Sequence, residues 1–175
     1  YIPRLIKAFK LGDAAILKEL INILAEHKIK VVKSNFFNPE LTLKRGIYTK
    51  IKPSKKDLVQ IKSGIKSLRN LNAYNHTQAI IVDQNGFIQK ETSQGTKKMI
   101  ESINNKKDNH RILIKFPKKK QDLRADLPTI GLDTLKDCKT AKLKGIVLKD
   151  NQNIFLDQKK SISFANKNKI FIYVL

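Results

Sequence analysis

The sequence predicts an α/β protein: a mixed β-sheet covered by helices, preceded by connecting helices. Two observations carry this. Short apolar runs of strand length alternate with segments whose apolar residues recur at helical spacing. Two pairs of strand candidates are joined by short turns, which favours a mixed sheet over a purely parallel one.

The elements follow in order. Ile2, Leu5, Ile6 and Phe9 share one helical face, and Gly12 ends that helix. Asp13 is read as the N-cap of a second helix over 14–28, with Ile16, Leu17, Leu20, Ile21 and Leu24 as its stripe. Residues 29–32 read as a short buried strand, and 34–53 as irregular, with turns at Asn38-Pro39 and Arg45-Gly46. Ser54 caps a third helix over 55–71, with Leu58, Ile61, Ile65 and Leu68 in register. The continuous apolar run at 78–82 is a central strand. Asn85-Gly86 turns it back along 87–90. After a polar turn over 92–95, Thr96 caps a helix reaching Ile103, and 104–109 form a polar loop. A strand at 112–114 runs into the loop over 115–131. Then come a helix over 132–141, strands at 145–148 and 154–156, a helix over 158–166 and a last strand at 170–174.

Composition narrows the function classes. The 175 residues suffice for one good-sized domain, and 41% are apolar. No run approaches the roughly 20 apolar residues of a membrane span. The opening residues show no basic-then-apolar leader, and the start reads as a truncated or processed end. The single Cys138 excludes an internal disulfide and a cysteine-cluster zinc site. The net charge of +21 points to an anionic partner. Only five of the 36 basic residues are arginines (Arg4, Arg45, Arg69, Arg111, Arg124) and the aromatics are scattered, so nucleic acid is not favoured. His27, His76 and His110 lie in separate polar contexts and form no nucleophile or metal pair. No Walker-type or dinucleotide loop is present.

The chemistry concentrates after the strand at 112–114. Asp122 and Asp126 sit in that loop with Gln121, Lys115, Lys118 and Arg124, and Glu91 follows an adjoining strand. Oxygen ligands at strand ends suit a hard cation such as Mg²⁺ (or Mn²⁺), which keeps several waters, so Asp122, Asp126 and Glu91 are the candidate ligands. Lys115 and Arg124 are candidates to hold phosphate oxygens, and the Gly95-Thr96 step to offer amides to a phosphate. The plainer alternative pairs Asp122 with Arg124 and leaves Asp126 as a turn cap.

The run Gln121-Asp122-Leu123-Arg124-Ala125-Asp126-Leu127-Pro128-Thr129-Ile130-Gly131 resembles the QD-x-R-x-D-LP-x-IG signature of the UDP-2,3-diacylglucosamine pyrophosphatases of lipid A biosynthesis, the LpxI type. Lys115-Phe116-Pro117-Lys118 is similar to the family's K-A-P-K. Glu91 with Gly95-Thr96 is similar to its E-x-x-E-G-T-D, Gly12-Asp13 with Leu17 to its G-D-D-x-L-L, and Thr77-Gln78 to its G-Q. Lys97, Ala14 and Thr77 depart from the family's Asp, Asp and Gly at their positions.

The resemblance implies hydrolysis of the diphosphate of UDP-2,3-diacylglucosamine, with Mg²⁺ and water, to UMP and 2,3-diacylglucosamine 1-phosphate. Asp126 matches the family's catalytic aspartate, with Asp122 beside it; which acid is base and which is ligand stays open. Lys115, Gln121, Arg124, Gly95, Thr96 and Thr129 become the phosphate- or substrate-binding set. The resemblance also implies that 1–28 are connecting helices to a missing N-terminal domain and 29–175 the catalytic domain. It places the protein in the cytoplasm, in peripheral contact with inner-membrane lipid; a homodimer is allowed. The rival readings are a basic module that binds RNA or anionic membrane without chemistry, and an inactive family member.

Overall fold

The computed structural model describes residues 1–74, 77–103, 110–119 and 121–175. The loop expected at 104–109 and His76 lie outside them. The architecture is the expected mixed α/β one. Six strands form one sheet: β1 (Gly46–Ile47), β2 (Ala79–Asp83), β3 (Gly86–Lys90), β4 (Arg111–Lys115), β6 (Leu143–Leu148) and β8 (Phe171–Val174). Their order is β1-β8-β6-β4-β2-β3. β4, β6 and β8 run parallel, while β1, β2 and β3 attach antiparallel. Two short parallel strands, β5 (Thr129–Ile130) and β7 (Ile154–Phe155), make a second small sheet.

Helices cover both faces. α3 (Lys55–Tyr74) packs Ile61 and Leu68 on Ile80, Val82, Ile112 and Ile114. The opposite face buries Leu113 and Ile146 under α4 (Gly95–Glu101), α5 (Leu132–Thr140) and α6 (Gln158–Lys167). β2 and β4 are buried on both faces, as continuous apolar runs demand. Alternation along β4 puts Ile112 and Ile114 under α3 and Arg111, Leu113 and Lys115 on the other side. α3 approaches closely at Gly64, where a Cβ would lie 2.5 Å from the Ile114 Cδ1.

Arg111 is fully buried, and its guanidinium donates to the carbonyls of Ile103 (2.6 Å) and Ala141 (3.0 Å). The Ala141 carbonyl is at the C-cap of α5 and the Ile103 carbonyl lies just past the C-cap of α4, near helix ends where dipoles concentrate negative charge. One cation thus fastens two helix ends to the base of β4.

Several expectations change. Residues 29–32 form no strand: Ile29 and Val32 are 53% and 37% exposed, and β-propensity without a partner ladder does not make a strand. The second helix, α2 (Asp13–Glu26), is capped by Gly12 at φ +95°, with Asp13 as its first residue. It packs against α1 (Ile2–Phe9), and Arg4 bridges Glu19 and Glu26 at 2.5 and 2.6 Å. Leu58 is 43% exposed, because the buried stripe of α3 passes through Asp57, Ile61, Gly64 and Leu68 instead. Thr96 sits inside α4, whose N-cap is Gln94.

The capping of α3 is as expected. Ser54 Oγ accepts from the Asp57 amide (3.2 Å) and Asp57 Oδ2 accepts from the Ser54 amide (2.7 Å), a reciprocal capping box. Asp57 also takes Lys144 of β6 at 2.8 Å. Burial alone would raise this carboxyl, but the hydrogen bonds from Lys144 and Ser54 outweigh it and hold its pKa below the ordinary value. A depressed carboxylate pKa adds stability above the unfolded-state value and loses it as pH falls through the folded one. The melting temperature should therefore drop below about pH 4. Asp57→Asn should melt lower than wild type at pH 7 and show a shallower acid decline, read by thermal circular dichroism.

Candidate active site

The strand ends that carry the motifs lie along one edge of the sheet, the carboxyl end of the parallel strands, where open α/β sheets place their ligands. β4 ends there at Lys115. β3 delivers Glu91, whose amide still bonds to the Ala79 carbonyl at 2.9 Å. Glu91 is buried, and its Oε1 accepts from Thr96 Oγ1 at 2.6 Å. The same hydroxyl accepts from Lys115 Nζ at 2.8 Å, and Nζ donates again to the Thr129 carbonyl at 3.1 Å. Lys115 is itself buried, which pulls its pKa down, while the nearby Glu91 carboxylate pushes it back up. The Lys115 carbonyl accepts from Asn153 Nδ2 at 3.0 Å, and Asn153 Oδ1 accepts from the Lys149 amide at 2.8 Å. One residue therefore joins the loop after β3, the entry to α5 and the turn after β6.

The motif loop closes on itself. Gln121 Oε1 accepts from the Lys118 amide (2.7 Å), and the Gln121 amide donates to the Lys118 carbonyl (3.0 Å). Asp122 accepts from Arg124 Nε at 2.9 Å and from its terminal nitrogen at 2.7 Å, and the guanidinium holds the Asp122 carboxyl below its usual range. The Asp126 amide donates to the Asp122 carbonyl at 2.9 Å, forming a helical turn. The Asp126 carboxylate is half-buried and has no hydrogen-bond or ion-pair partner among the described residues.

So the structure gathers Glu91, Thr96, Lys115 and Thr129 into one network and Asp122 with Arg124 into another pair. It does not gather the three acids. Among the described residues no three of His, Cys, Asp and Glu are placed to hold a metal ion. Glu91 and Asp122 are committed to protein partners. Asp126 alone fits a cation held through one carboxylate and the oxygens of a bound phosphate. The Gly95 amide donates to the Thr92 carbonyl, and its φ of +85° lets the chain turn sharply into α4. Lys97 is exposed on α4, and its charge acts on Glu101 of the same helix and on Asp133 and Asp137 of α5.

Two clefts flank the motif loop. The first, about 570 Å³, lies between the α1–α2 turn at Gly12 and a wall of Gln78, Lys90, Glu91, Thr92, Gly95 and Lys118. The second, about 410 Å³, lies on the α3 side of the loop. Lys118 lines both. Asp126 belongs to neither lining. The role of Asn153 was invisible in the sequence, since its two partners are both backbone groups.

The fold is an α/β domain whose sheet edge, at the carboxyl ends of the parallel strands, carries the motif loop. The chain belongs to the LpxI C-terminal domain family, whose model matches residues 44–173. Over 179 residues it is 26% identical to the UDP-2,3-diacylglucosamine pyrophosphatase LpxI of Caulobacter vibrioides, a match covering 98% of this chain and 64% of that protein. The chain thus spans somewhat under two thirds of that relative's length.

Lys115→Met should break the network while preserving side-chain bulk. Leaving Glu91 buried without its cation should cost about 1–3 kcal/mol, a drop of about 2–4 °C in melting temperature per kcal/mol. Amide exchange at Thr96 and Thr129 should speed up. Unchanged exchange at both positions would mean that Lys115 does not hold the loops.

Proposed function

We propose that this chain supplies the catalytic edge of a UDP-2,3-diacylglucosamine hydrolase, cleaving the diphosphate with water to UMP and 2,3-diacylglucosamine 1-phosphate. Support comes from membership of the LpxI C-terminal domain family and from the name of the Caulobacter relative. The observation that carries the residue assignment is the Asp126 carboxylate. Among the described residues it has no protein partner, while Asp122, Gln121 and Lys115 are tied.

In this reading Asp126 orients the water or accepts its proton. Lys118, half-buried at the meeting of two clefts, neutralises diphosphate oxygens. Lys115, Thr96 and Glu91 keep both loops at fixed spacing, because phosphoryl chemistry depends on positioning and charge neutralisation more than on covalent help. Mg²⁺ belongs to the proposal as a companion of the substrate: Asp126 would hold it with the diphosphate, and it would withdraw charge from the phosphate. Residues 1–28 connect to the part of the enzyme that holds the uridine. The substrate's acyl chains bring the protein to the cytoplasmic surface of the inner membrane.

Asp126→Asn in the full-length protein should cut turnover at least about a hundredfold, a barrier rise near 2.7 kcal/mol. Its circular dichroism melt should stay unchanged. Wild-type turnover would remove Asp126 from the chemistry. In a separate assay, exhaustive EDTA treatment should stop hydrolysis, and Mg²⁺ or Mn²⁺ should restore it. Full activity after chelation would show that the acids work without a metal.

A further inference from the structure

The charge on the outward face of α3 goes unanswered among the described residues. All five cations of the helix, Lys55, Lys56, Lys62, Lys66 and Arg69, are exposed, and its one acid, Asp57, is buried against Lys144. None of the five makes an ion pair or hydrogen bond among the described residues. The helical period gathers them into one arc of about 140°, over a length of about 20 Å. Val59 lies near the centre of that arc and is 71% exposed. The nearby Asp83 shares a hollow with Lys56 and Val59, but its Oδ1 accepts from the Asn85 amide at 2.8 Å. The other face of the sheet is built differently. Its helices mix lysines with acids, and Lys98–Glu101 and Lys136–Asp133 pair at 2.9 and 2.8 Å. The row on α3 is also held rigidly outward, because Ile61, Gly64 and Leu68 are packed on the sheet and the helix cannot roll.

We infer that this face docks on the surface of an anionic bilayer, with α3 lying flat, its cations among the headgroups and Val59 at their inner boundary. A straight cationic row on a fixed helix matches a charged plane along its whole length. Four of the five cations are lysines, point charges that suit a diffuse surface potential, whereas fork-like recognition of single phosphates favours arginine. RNA fits less well, since residues 55–70 hold no aromatic on which a base could stack. A folded acidic protein would meet a convex helix with a single apolar side chain at its centre, too little for the apolar middle of a stable interface. The contact needs the bilayer alone, without substrate, and so does not rest on the diphosphatase reading.

The test is co-sedimentation of the full-length protein with substrate-free vesicles, either of phosphatidylcholine or of equal parts phosphatidylcholine and phosphatidylglycerol. Binding should require the anionic lipid and fall at least about tenfold between about 0.1 and 0.5 M NaCl, as screening shortens the reach of the charges. Lys62→Glu combined with Lys66→Glu should weaken it at least about thirtyfold. Val59→Ser should weaken it about threefold, through the lost apolar contact. Lys159→Glu combined with Lys160→Glu on α6 changes the net charge by the same amount on the other face of the sheet, and should leave binding within about twofold. All five positions are exposed, so thermal melts should stay near wild type. Should the α3 pair melt early, Lys62→Gln with Lys66→Gln replaces it, with an expected loss of about tenfold. Equal loss from the α6 pair would overturn the proposal by showing that net charge suffices. Equal binding to vesicles of phosphatidylcholine alone would overturn it too. Tighter binding to a single-stranded RNA oligomer than to anionic vesicles, lost in the α3 pair, would give the face to nucleic acid instead.

Discussion

A buried ammonium at the end of β4 organises the working edge of this domain. Removing Lys115 from water is costly unless its charge is answered, and burial does pull its pKa down. The answer comes from three directions: the Thr96 hydroxyl, the Thr129 carbonyl, and Glu91 reached through Thr96. The geometry also fixes the polarity of Thr96. Its oxygen accepts from Lys115, so its proton faces Glu91 and is not offered to a ligand. A residue that resembles a phosphate-binding lysine thus spends two of its three donors inside the protein, and the neighbouring threonine's proton is spent with them.

The opposite end of β4 repeats the solution with different chemistry. Arg111 is fully buried and donates to the backbone carbonyls of Ile103, just past α4, and Ala141, the C-cap of α5. A planar guanidinium can serve two carbonyls at once, which suits a junction of α4 and α5. Between the two cations lies only Leu113 on that face. The strand is therefore a spar with a charged clamp at each end, one holding helices and the other holding loops. That arrangement explains how a sheet edge can carry long polar loops without losing their spacing.

The sequence revealed what depends on neighbours in the chain. The Ser54 cap of α3, the hairpin between β2 and β3 and the apolar runs of β2 and β4 are local, and each appears where its residues demand. Errors arose where a distant partner decides. Residues 29–32 have strand composition but no ladder to join, and Leu58 fits the helical period yet falls off the face that meets the sheet. The site shows the same division. The motif loop was legible as a unit, including the alternative in which Asp122 pairs with Arg124. Spacing could not tell that Lys115 would be buried, that Thr96 would face Glu91 instead of capping α4, or that Asn153 would brace Lys115 from a turn 38 residues away.

The contrast between tied and free groups bears on what the edge can do. A group already satisfied by protein gains little from a ligand, whereas a half-buried charge without a partner gains most when an opposite charge arrives. Among the described residues, Lys118 and Asp126 are the groups of the motif loop left in that condition. The loop between them is stiffened by the Gln121–Lys118 clasp, by the Asp122–Arg124 fork and by the turn closing on Asp126. Beyond Asp126 it is anchored where the Ile154 amide bonds to the Pro128 carbonyl and β5 joins β7. The polar residues that look most functional in the sequence are thus mainly the fixings, and they hold two unsatisfied groups of opposite charge on one rigid arc. Such preorganisation removes the entropy of assembling the site at the moment of reaction, the form of help that phosphoryl transfer uses best.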